Sequence, residues 1–480
     1  MGQENNIGLS VKKSDDFSEW YTQVIQKADL IEYTLVSGCY IFRPNSFGIW
    51  EKIQEYLNKK FKELNIKNSY FPLLIPESLL KKESSHVKGF NPEVAWVTYS
   101  GDTKLAERLA IRPTSESIMY EAYSKWIRSY RDLPLKLNQW CSVVRWEFKT
   151  PVPFLRSREF LWQEGHTAHE TKEQADKEVF DILEIYKKIY EDLLAIPVLK
   201  GRKTEQEKFA GALYTTSVEA FLPNGKAIQA ATSHALGQNF AKAFNIEFLD
   251  KNQKKQLVWQ NSWGITTRTL GILTMFHGDD KGLIMPPKVA HTQVVIVPIL
   301  FDKTREKIKK QCLKLREELK DFLVEIDFRE EYSPGWKFNE WELKGIPLRI
   351  EIGPKDLENE QVIFVRRDTG EKSNVKIKKI KSAVEKNLED IHENLLNKGK
   401  EFLKKNTIEV NKFEEIIRFV NEKKLVKSFW CQEEECENKI KQKIDCAKII
   451  NIPLDQPKEI KNCAICNKKG KELVYIARSY

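Results

Sequence analysis

Three stretches in the first half of the chain carry side chains suited to an anionic ligand. Arg112-Pro113-Thr114-Ser115-Glu116 places hydroxyls and a carboxylate just ahead of an apolar helical pattern, where Thr114 or Ser115 could equally cap the helix. Val143-Val144-Arg145-Trp146-Glu147-Phe148 reads as a strand with Arg145 and Glu147 on one face, because side chains two apart project together. A loop with Arg156 and Arg158 follows, and then a second extended run sets Phe160, Trp162 and Glu164 on a common face. The third stretch, Asn261-Ser262-Trp263-Gly264-Ile265-Thr266-Thr267-Arg268, combines a glycine that admits close backbone approach with another fixed positive charge. Taken singly, each has a bland reading: a solvated ion pair on a sheet face, a core aromatic, a helix cap. Several guanidiniums converging on one ligand suit a nucleotide phosphate better than a core.

A different chemistry sits near the C-terminus. Cys431 and Cys436 form C-x4-C, and Cys463 and Cys466 form C-x2-C. Four thiolates can close a tetrahedral zinc site, and a closed site keeps no position for substrate, so its role would be structural. Cys446 lies between the pairs as a spare or rival ligand, and free thiols in a site that has lost its metal are the competing reading. Cys39, Cys141 and Cys312 stand alone and read as small buried hydrophobes.

These side chains need rigid elements to hold them. Residues 45–64 carry Ile49, Ile53, Leu57, Phe61 and Leu64 along one helix face. Residues 70–75, with Pro72 among them, suit an edge or interface strand. Strand-like and polar pieces then alternate up to about Leu283, as in an antiparallel sheet flanked by helices. Pro286-Pro287 marks a linker. Beyond it, an apolar run at 294–297, an amphipathic helix with Ile308, Cys312, Leu315, Leu319 and Phe322, and two alternating runs at 324–328 and 348–352 make a small α/β domain. A Lys/Glu-rich helical stretch from about Lys400 leads into the cysteines. The expectation is a multidomain α/β and α+β chain divided at 1–285, 286–399 and 400–480.

Composition agrees with that size and class. The 480 residues are enough for two or three domains, and 41% hydrophobic with 31% charged residues is ordinary for a soluble globular chain. No apolar run approaches the roughly 18 residues of a membrane span. The polar, mixed-charge N-terminus is unlike a signal peptide, which places the chain in the cytoplasm. In that compartment clustered cysteines point to metal, not to disulfides. The net charge of +10 invites a polyanion such as nucleic acid, although much of the excess is scattered lysine.

Together the strings resemble a known family. R-W-E-F, a loop and R-x-x-x-F look like the second signature motif of class II aminoacyl-tRNA synthetases, and the stretch ending in Arg268 resembles the third without most of its usual glycines. The helix leading into Tyr70-Phe71-Pro72 is similar to the first, the dimer-interface motif. R-P-T-S-E, V-R-W-E, F-L-W-Q-E-G-H-T, A-T-S-H-x-L-G-Q-N-F and N-S-W-G-I-T-T-R-T together look like prolyl-tRNA synthetases of the archaeal and eukaryotic type, a likeness running from about Phe17 to the closing Ala-Arg-Ser-Tyr.

The resemblance implies a reaction in two steps: L-proline and ATP give prolyl-adenylate and pyrophosphate, and the prolyl group then passes to the 3′ end of tRNA(Pro). It implies that Arg145 bridges the proline carboxylate and the α-phosphate, and that Arg156 holds the outer phosphates. Phe160 and Arg268 would sandwich adenine, with Glu147, Gln229, Thr232 and Thr266 also at the nucleotide. Thr114 and Glu116 would take the proline ammonium, and Trp162, Phe209 and His234 would shape the ring pocket with Glu164 and Ser262. His234 is read as a binding residue, since class II activation needs no general base. ATP would bring its own Mg2+, Asp279-Asp280 is read as structural, and the four cysteines would hold a structural Zn2+. The segments 1–285, 286–399 and 400–480 become the catalytic, anticodon-binding and zinc-binding domains, in a homodimer with no membrane association. Arg349 and Glu351 could meet RNA or be a surface pair. Family-like strings fill the interval between Phe160 and Ser262, so the bacterial-type editing insertion is absent and some activation of alanine or cysteine is expected.

Three rivals compete: a class II synthetase for threonine or serine, a non-catalytic paralogue that binds tRNA or a partner protein, and a zinc-dependent RNA-binding protein. Trp162, R-P-T-S-E and the cysteine pairs speak against the first. A full set of ATP-site arginines speaks against the second, and the third gives the catalytic-type block no purpose.

Overall fold

In the computed structural model, residues 8–86 and 93–480 are described; residues 1–7 of the polar N-terminal stretch lie outside them. Helix α1 (Pro44–Glu63) starts with proline in its first turn, where the missing N–H costs nothing, and buries Ile49, Ile53, Leu57 and Phe61 at helical spacing. Truncating one of these fully buried residues, Leu57→Ala for instance, would cost about 2–5 kcal/mol. The strand expected at 70–75 is not one piece: a two-residue strand β1 (Lys67–Asn68) precedes it and the Leu74–Pro76 strand takes only its end. Helix α2 (Glu116–Trp126) follows the R-P-T-S-E string.

The catalytic-type region is a sheet of β2 (Leu135–Val144), β3 (Glu159–His169), β4 (Leu199–Arg202), β5 (Tyr214–Phe221), β6 (Lys226–Gly237) and β7 (Trp259–Thr266), with neighbours antiparallel except β1 on β2. Helix α3 (Lys172–Lys188) packs Val179, Ile182, Leu183 and Tyr186 behind it, and α4 (Arg268–His277) follows β7 directly. The sheet thus has one face buried under helices and one face open, which alternating residues can line.

A second sheet begins with β8 (Val294–Pro298), then α5 (Arg305–Glu318), β9 (Val324–Ile326), α6 (Pro334–Leu343), β10 (Leu348–Ile352), β11 (Gln361–Arg366) and β12 (Lys372–Lys376). Its order is β9-β8-β10-β11-β12, with the first three parallel. Ile308, Cys312 and Leu315 of α5 close its core together with Ile380, Val384 and Leu388 of the long helix α7 (Ile380–Asn406). Arg349 and Glu351 are paired at 2.9 Å and largely buried, with Arg349 4.3 Å over the Phe338 ring, so they form an internal clamp and not a solvated surface pair. Pro286 and Pro287 are buried, and the connection is laced to α6 by Leu283 N to Leu343 O and Met285 N to Gly345 O; the linker is a packed seam.

Helix α7 runs straight through position 400, where the sequence suggested a boundary. The last segment then adds β13 (Thr407–Glu409), β14 (Leu425–Trp430), α8 (Glu434–Lys443), β15 (Ala447–Pro453) and β16 (Glu472–Ser479). It forms no sheet of its own. Strand β15 pairs with β4, and the result is one eleven-stranded sheet in the order β13-β14-β16-β15-β4-β5-β6-β7-β3-β2-β1. Among the described residues, no helix is long and apolar enough to cross a membrane.

Candidate active site

The open face of the sheet holds a cavity of about 340 Å³, within the size range of small-molecule sites. Three strands supply its floor through their two-residue alternation. Strand β3 contributes Phe160, Trp162, Glu164 and His166, and β7 contributes Ser262, Gly264 and Thr266. On β6, Gln229 and Thr232 would face opposite ways in a regular strand. A bulge corrects this: Val218 pairs with Ala231 and Glu219 with Gln229, so one extra residue lets Gln229, Thr232 and His234 all line the cavity.

The 112–116 turn closes one end. Arg145 Nε donates to Pro113 O at 3.0 Å, and the Thr114 hydroxyl donates to Glu116, whose carboxylate is only 4% exposed. Ser115 occupies the N-cap position of α2 but makes no capping bond there; its hydroxyl donates to Glu164 Oε1 instead. Gln139 Nε2 donates to the same Oε1 at 2.9 Å, while Ser115 N and His166 Nε2 reach Oε2 at 3.2 and 3.1 Å. Burial pushes the Glu164 carboxyl up, but the bonds from His166, Ser115 and Gln139 outweigh it and hold the group below its usual range. His166 Nδ1 is in turn 2.9 Å from the Tyr120 hydroxyl. Trp162 Nε1 donates to Cys141 Sγ at 3.2 Å, so Cys141 is a seat for the indole beyond being an apolar filler.

The nucleotide-type side is basic. The Arg145 guanidinium lies 5.6 Å from the Phe160 ring centre and 5.3 Å from that of Trp162. Arg268 is fixed by Leu155 O and Gln229 O, each at 3.3 Å, and burial, then repulsion from Arg145 and Arg156, lowers its pKa. His234 is pushed down to about 3 by burial, reinforced by His166, and is therefore neutral across the physiological range. Its ring sits 4.7 Å from Phe209, and its Nδ1 is 2.9 Å from Thr215 Oγ1.

Of the residues expected at the site, Thr114, Glu116, Arg145, Phe160, Trp162, Glu164, Phe209, Gln229, Thr232, His234, Ser262, Thr266 and Arg268 line this one cavity. Arg156 is exposed beside it, near enough to repel Arg268. The strand-face reading of Arg145 and Glu147 is the correction. Strand β2 ends at Val144, so Arg145 and Glu147 share no strand face; Glu147 is exposed in the following turn and does not line the cavity. Among the contributors that went unread are His166, which a fourth step of the β3 alternation would have reached, Thr215 against His234, Gln139, which acts through Glu164, and Glu207 from an irregular loop with no local signature.

Asp279 and Asp280 make structural contacts. Asp279 pairs with Arg367 at 2.6 and 2.9 Å, and Asp280 accepts from Lys13 N at 2.8 Å. The Sγ atoms of Cys431, Cys436, Cys463 and Cys466 lie within 4.8 Å of one another, with Cys431 3.6 Å from Cys436 and 3.7 Å from Cys466. A tetrahedron of thiolates about 2.3 Å from zinc has edges of about 3.8 Å, so the four residues fit the ion. Cys446 is exposed and outside the cluster.

With that geometry in place, comparison with known proteins is direct. The tRNA synthetase class II core domain (G, H, P, S and T) family matches residues 98–277, an anticodon binding domain matches 293–387, and the prolyl-tRNA synthetase C-terminal family matches 413–480. The cytoplasmic proline–tRNA ligase of Arabidopsis thaliana is 52% identical over 100% of this chain and 92% of its own length. The chain belongs to the prolyl-tRNA synthetases. A proline–tRNA ligase of Alkaliphilus oremlandii is also 52% identical, over 97% of this synthetase and 96% of that one. The crystal structure of prolyl-tRNA synthetase from Cryptosporidium parvum, complexed with halofuginone and AMPPNP, superposes with a TM-score of 0.96 at 49% identity, covering 99% of this chain and 100% of that one.

Proposed function

We propose that the cavity on the open sheet face is where this class II synthetase brings L-proline and ATP together. As a proline–tRNA ligase, the enzyme joins proline to tRNA at the expense of ATP. The observation that carries the site assignment is that buried carboxylate and hydroxyl acceptors at one end share a single cavity with guanidiniums and an aromatic ring at the other.

In the assigned arrangement Glu116 and Thr114 accept the two N–H bonds of the proline ammonium. Trp162, Phe209 and His234 enclose the apolar ring, with Ser262 and Glu164 fixing their surroundings. A proline carboxylate oxygen bonds to the α-phosphorus, the bond to the β-phosphate oxygen breaks, and pyrophosphate leaves with its electron pair. Arg145 stabilises the charge that gathers between carboxylate and α-phosphate, Arg156 receives the outer phosphates, and Arg268 with Phe160 brackets the adenine. Gln229, Thr232 and Thr266 hold the nucleoside, whose Mg2+ arrives with it. The terminal ribose hydroxyl of tRNA(Pro) then attacks the acyl carbon and AMP leaves. No side chain is needed as a general base, which agrees with a neutral, hydrogen-bonded His234.

The rest of the chain is assigned accordingly: 1–285 to catalysis, 286–399 to the anticodon and 400–480 to a structural Zn2+ held by Cys431, Cys436, Cys463 and Cys466. Such an ion would tie Cys431, just after β14, and Cys436, in the first turn of α8, to the turn that carries Cys463 and Cys466, a structural role. Exposed apolar side chains at Leu35, Ile41, Tyr70 and Leu73 supply a surface for a homodimer, and the enzyme works in the cytoplasm. The site assignment is tested by proline binding to Glu116→Gln in the presence of ATP: weakening by at least tenfold is expected from loss of a charged acceptor, and wild-type binding would remove Glu116 from the site.

A further inference from the structure

The cavity wall that carries Glu207 and Phe209 belongs to an irregular loop between β4 and β5, and its partners lie on the far side of the sheet seam. Both carboxylate oxygens of Glu207 accept from cations of the C-terminal segment: Oε1 from Lys441 Nζ at 2.8 Å and Oε2 from Lys448 Nζ at 2.6 Å. Lys441 also donates to Gln206 Oε1 at 2.9 Å. The Thr204 hydroxyl donates to Glu437 Oε1 at 2.9 Å within the interior, and Gln206 Nε2 donates to Asn438 Oδ1 at 3.1 Å. Glu437, Asn438 and Lys441 lie on α8, whose first turn holds Cys436 of the thiolate cluster. At its other end the loop enters the amino-acid pocket: Phe209 N donates to Thr215 Oγ1 at 2.9 Å, the oxygen that also meets His234, and the Phe209 ring packs on His234. Phe209 is therefore held between two anchors, the catalytic strand β5 and helix α8.

We propose that α8 and the start of β15 together set the width of the proline pocket, with Lys441 on α8 and Lys448 on β15 acting as positioning residues that hold the Glu207–Phe209 wall through the Glu207 carboxylate. This rests on the reading of the cavity as the proline and ATP site. The thiolate cluster then fixes more than the C-terminal segment: by pinning the first turn of α8 it pins, two contacts away, the ring that closes on proline. A loosened wall weakens closure on the small pyrrolidine ring and leaves the nucleotide side untouched, because Arg145 and Arg268 are held by Pro113 O, Leu155 O and Gln229 O and by the Phe160 and Trp162 rings, and not through the Glu207 carboxylate.

The test is proline-dependent pyrophosphate exchange by the full chain with zinc supplied, comparing wild type with Lys441→Met, Lys448→Met, the double variant, Lys441→Arg and Glu207→Gln, with melting temperatures measured alongside. The double variant is expected to raise the KM for proline about tenfold, with the KM for ATP and kcat within about twofold of wild type. Lys441→Arg, which keeps the cation, should retain the wild-type KM, and Glu207→Gln should reproduce the double variant even if the lysine variants fold poorly. An unchanged KM for proline in folded Glu207→Gln, or a parallel rise of both KM values, would overturn the proposal. Absence of proline-dependent exchange in the wild-type protein would instead overturn the site assignment beneath it, so the two failures are distinguishable.

Discussion

Glu164 has every oxygen occupied by protein donors, whereas Glu116 is bonded by the Thr114 hydroxyl alone among the contacts described. The two carboxylates therefore do different work: Glu116 is available to an ammonium, and Glu164 fixes the 114–116 turn and the His166 ring. Glu164→Gln replaces an acceptor with a donor against Ser115 or His166, and the resulting mismatch should lower kcat/KM for proline by about 10- to 100-fold. A value within twofold of wild type, measured in the exchange assay, would show that the turn needs no such tie. His234 gives a pH prediction. Its folded pKa is depressed from 6.5 to about 3, so the neutral form is favoured; stability linked to it is complete above about pH 6.5 and is lost as pH falls toward 3. Denaturant unfolding of wild type between pH 7.5 and 4.5 should show a fall in stability that is smaller in His234→Asn, and the exchange rate should show no His234-dependent limb near pH 6.5. Most site residues were legible because motif strings keep residue types together and strand alternation sorts their faces. Glu207 was not, because its role depends on Lys441 and Lys448, more than two hundred residues away in sequence.

At the scale of elements, helix α1 and helix α5 could be read closely, since burial at i, i+4 leaves a regular apolar stripe. The end of β2 could not. Val144 is followed by a turn whose residues look as strand-like as those before it, and the alternation gave Glu147 a face it does not have. The β6 bulge was equally hidden, because a single extra residue leaves no mark on composition. Glycines in the sheet mark close approaches that can be tested. A Cβ at Gly165 would lie 2.1 Å from the Trp263 ring, which is itself buried beneath the sheet. Gly165→Ala should destabilise the protein by at least about 1–3 kcal/mol through overpacking, read as a lower urea midpoint. Gly201 is the matching case at the seam: its Cβ would meet Ile452 O at 2.3 Å, so alanine there should part β4 from β15. An unchanged midpoint in both variants would contradict the packing described.

For the whole molecule, three regions of distinct pattern were visible along the chain, but the joining of the last to the first was not. Strand β15 pairing with β4 is a contact between segments some 250 residues apart, and neither strand advertises a partner. That union makes the thiolate cluster part of the catalytic body. Removing metal with a strong chelator should lower the melting temperature by several degrees and abolish binding of a stoichiometric zinc ion measured by mass spectrometry; an unchanged melt with no metal in the purified protein would leave the four thiols without that role. The central claim is that one cavity activates proline with ATP. It is tested most directly by exchange of labelled pyrophosphate into ATP with proline, alanine, cysteine, threonine and serine as alternative substrates. The account predicts strong exchange with proline, weak but measurable exchange with alanine, whose missing methylenes each forfeit about 1–3 kcal/mol, and none with threonine or serine. No exchange with any amino acid, from folded and zinc-loaded protein, would contradict it.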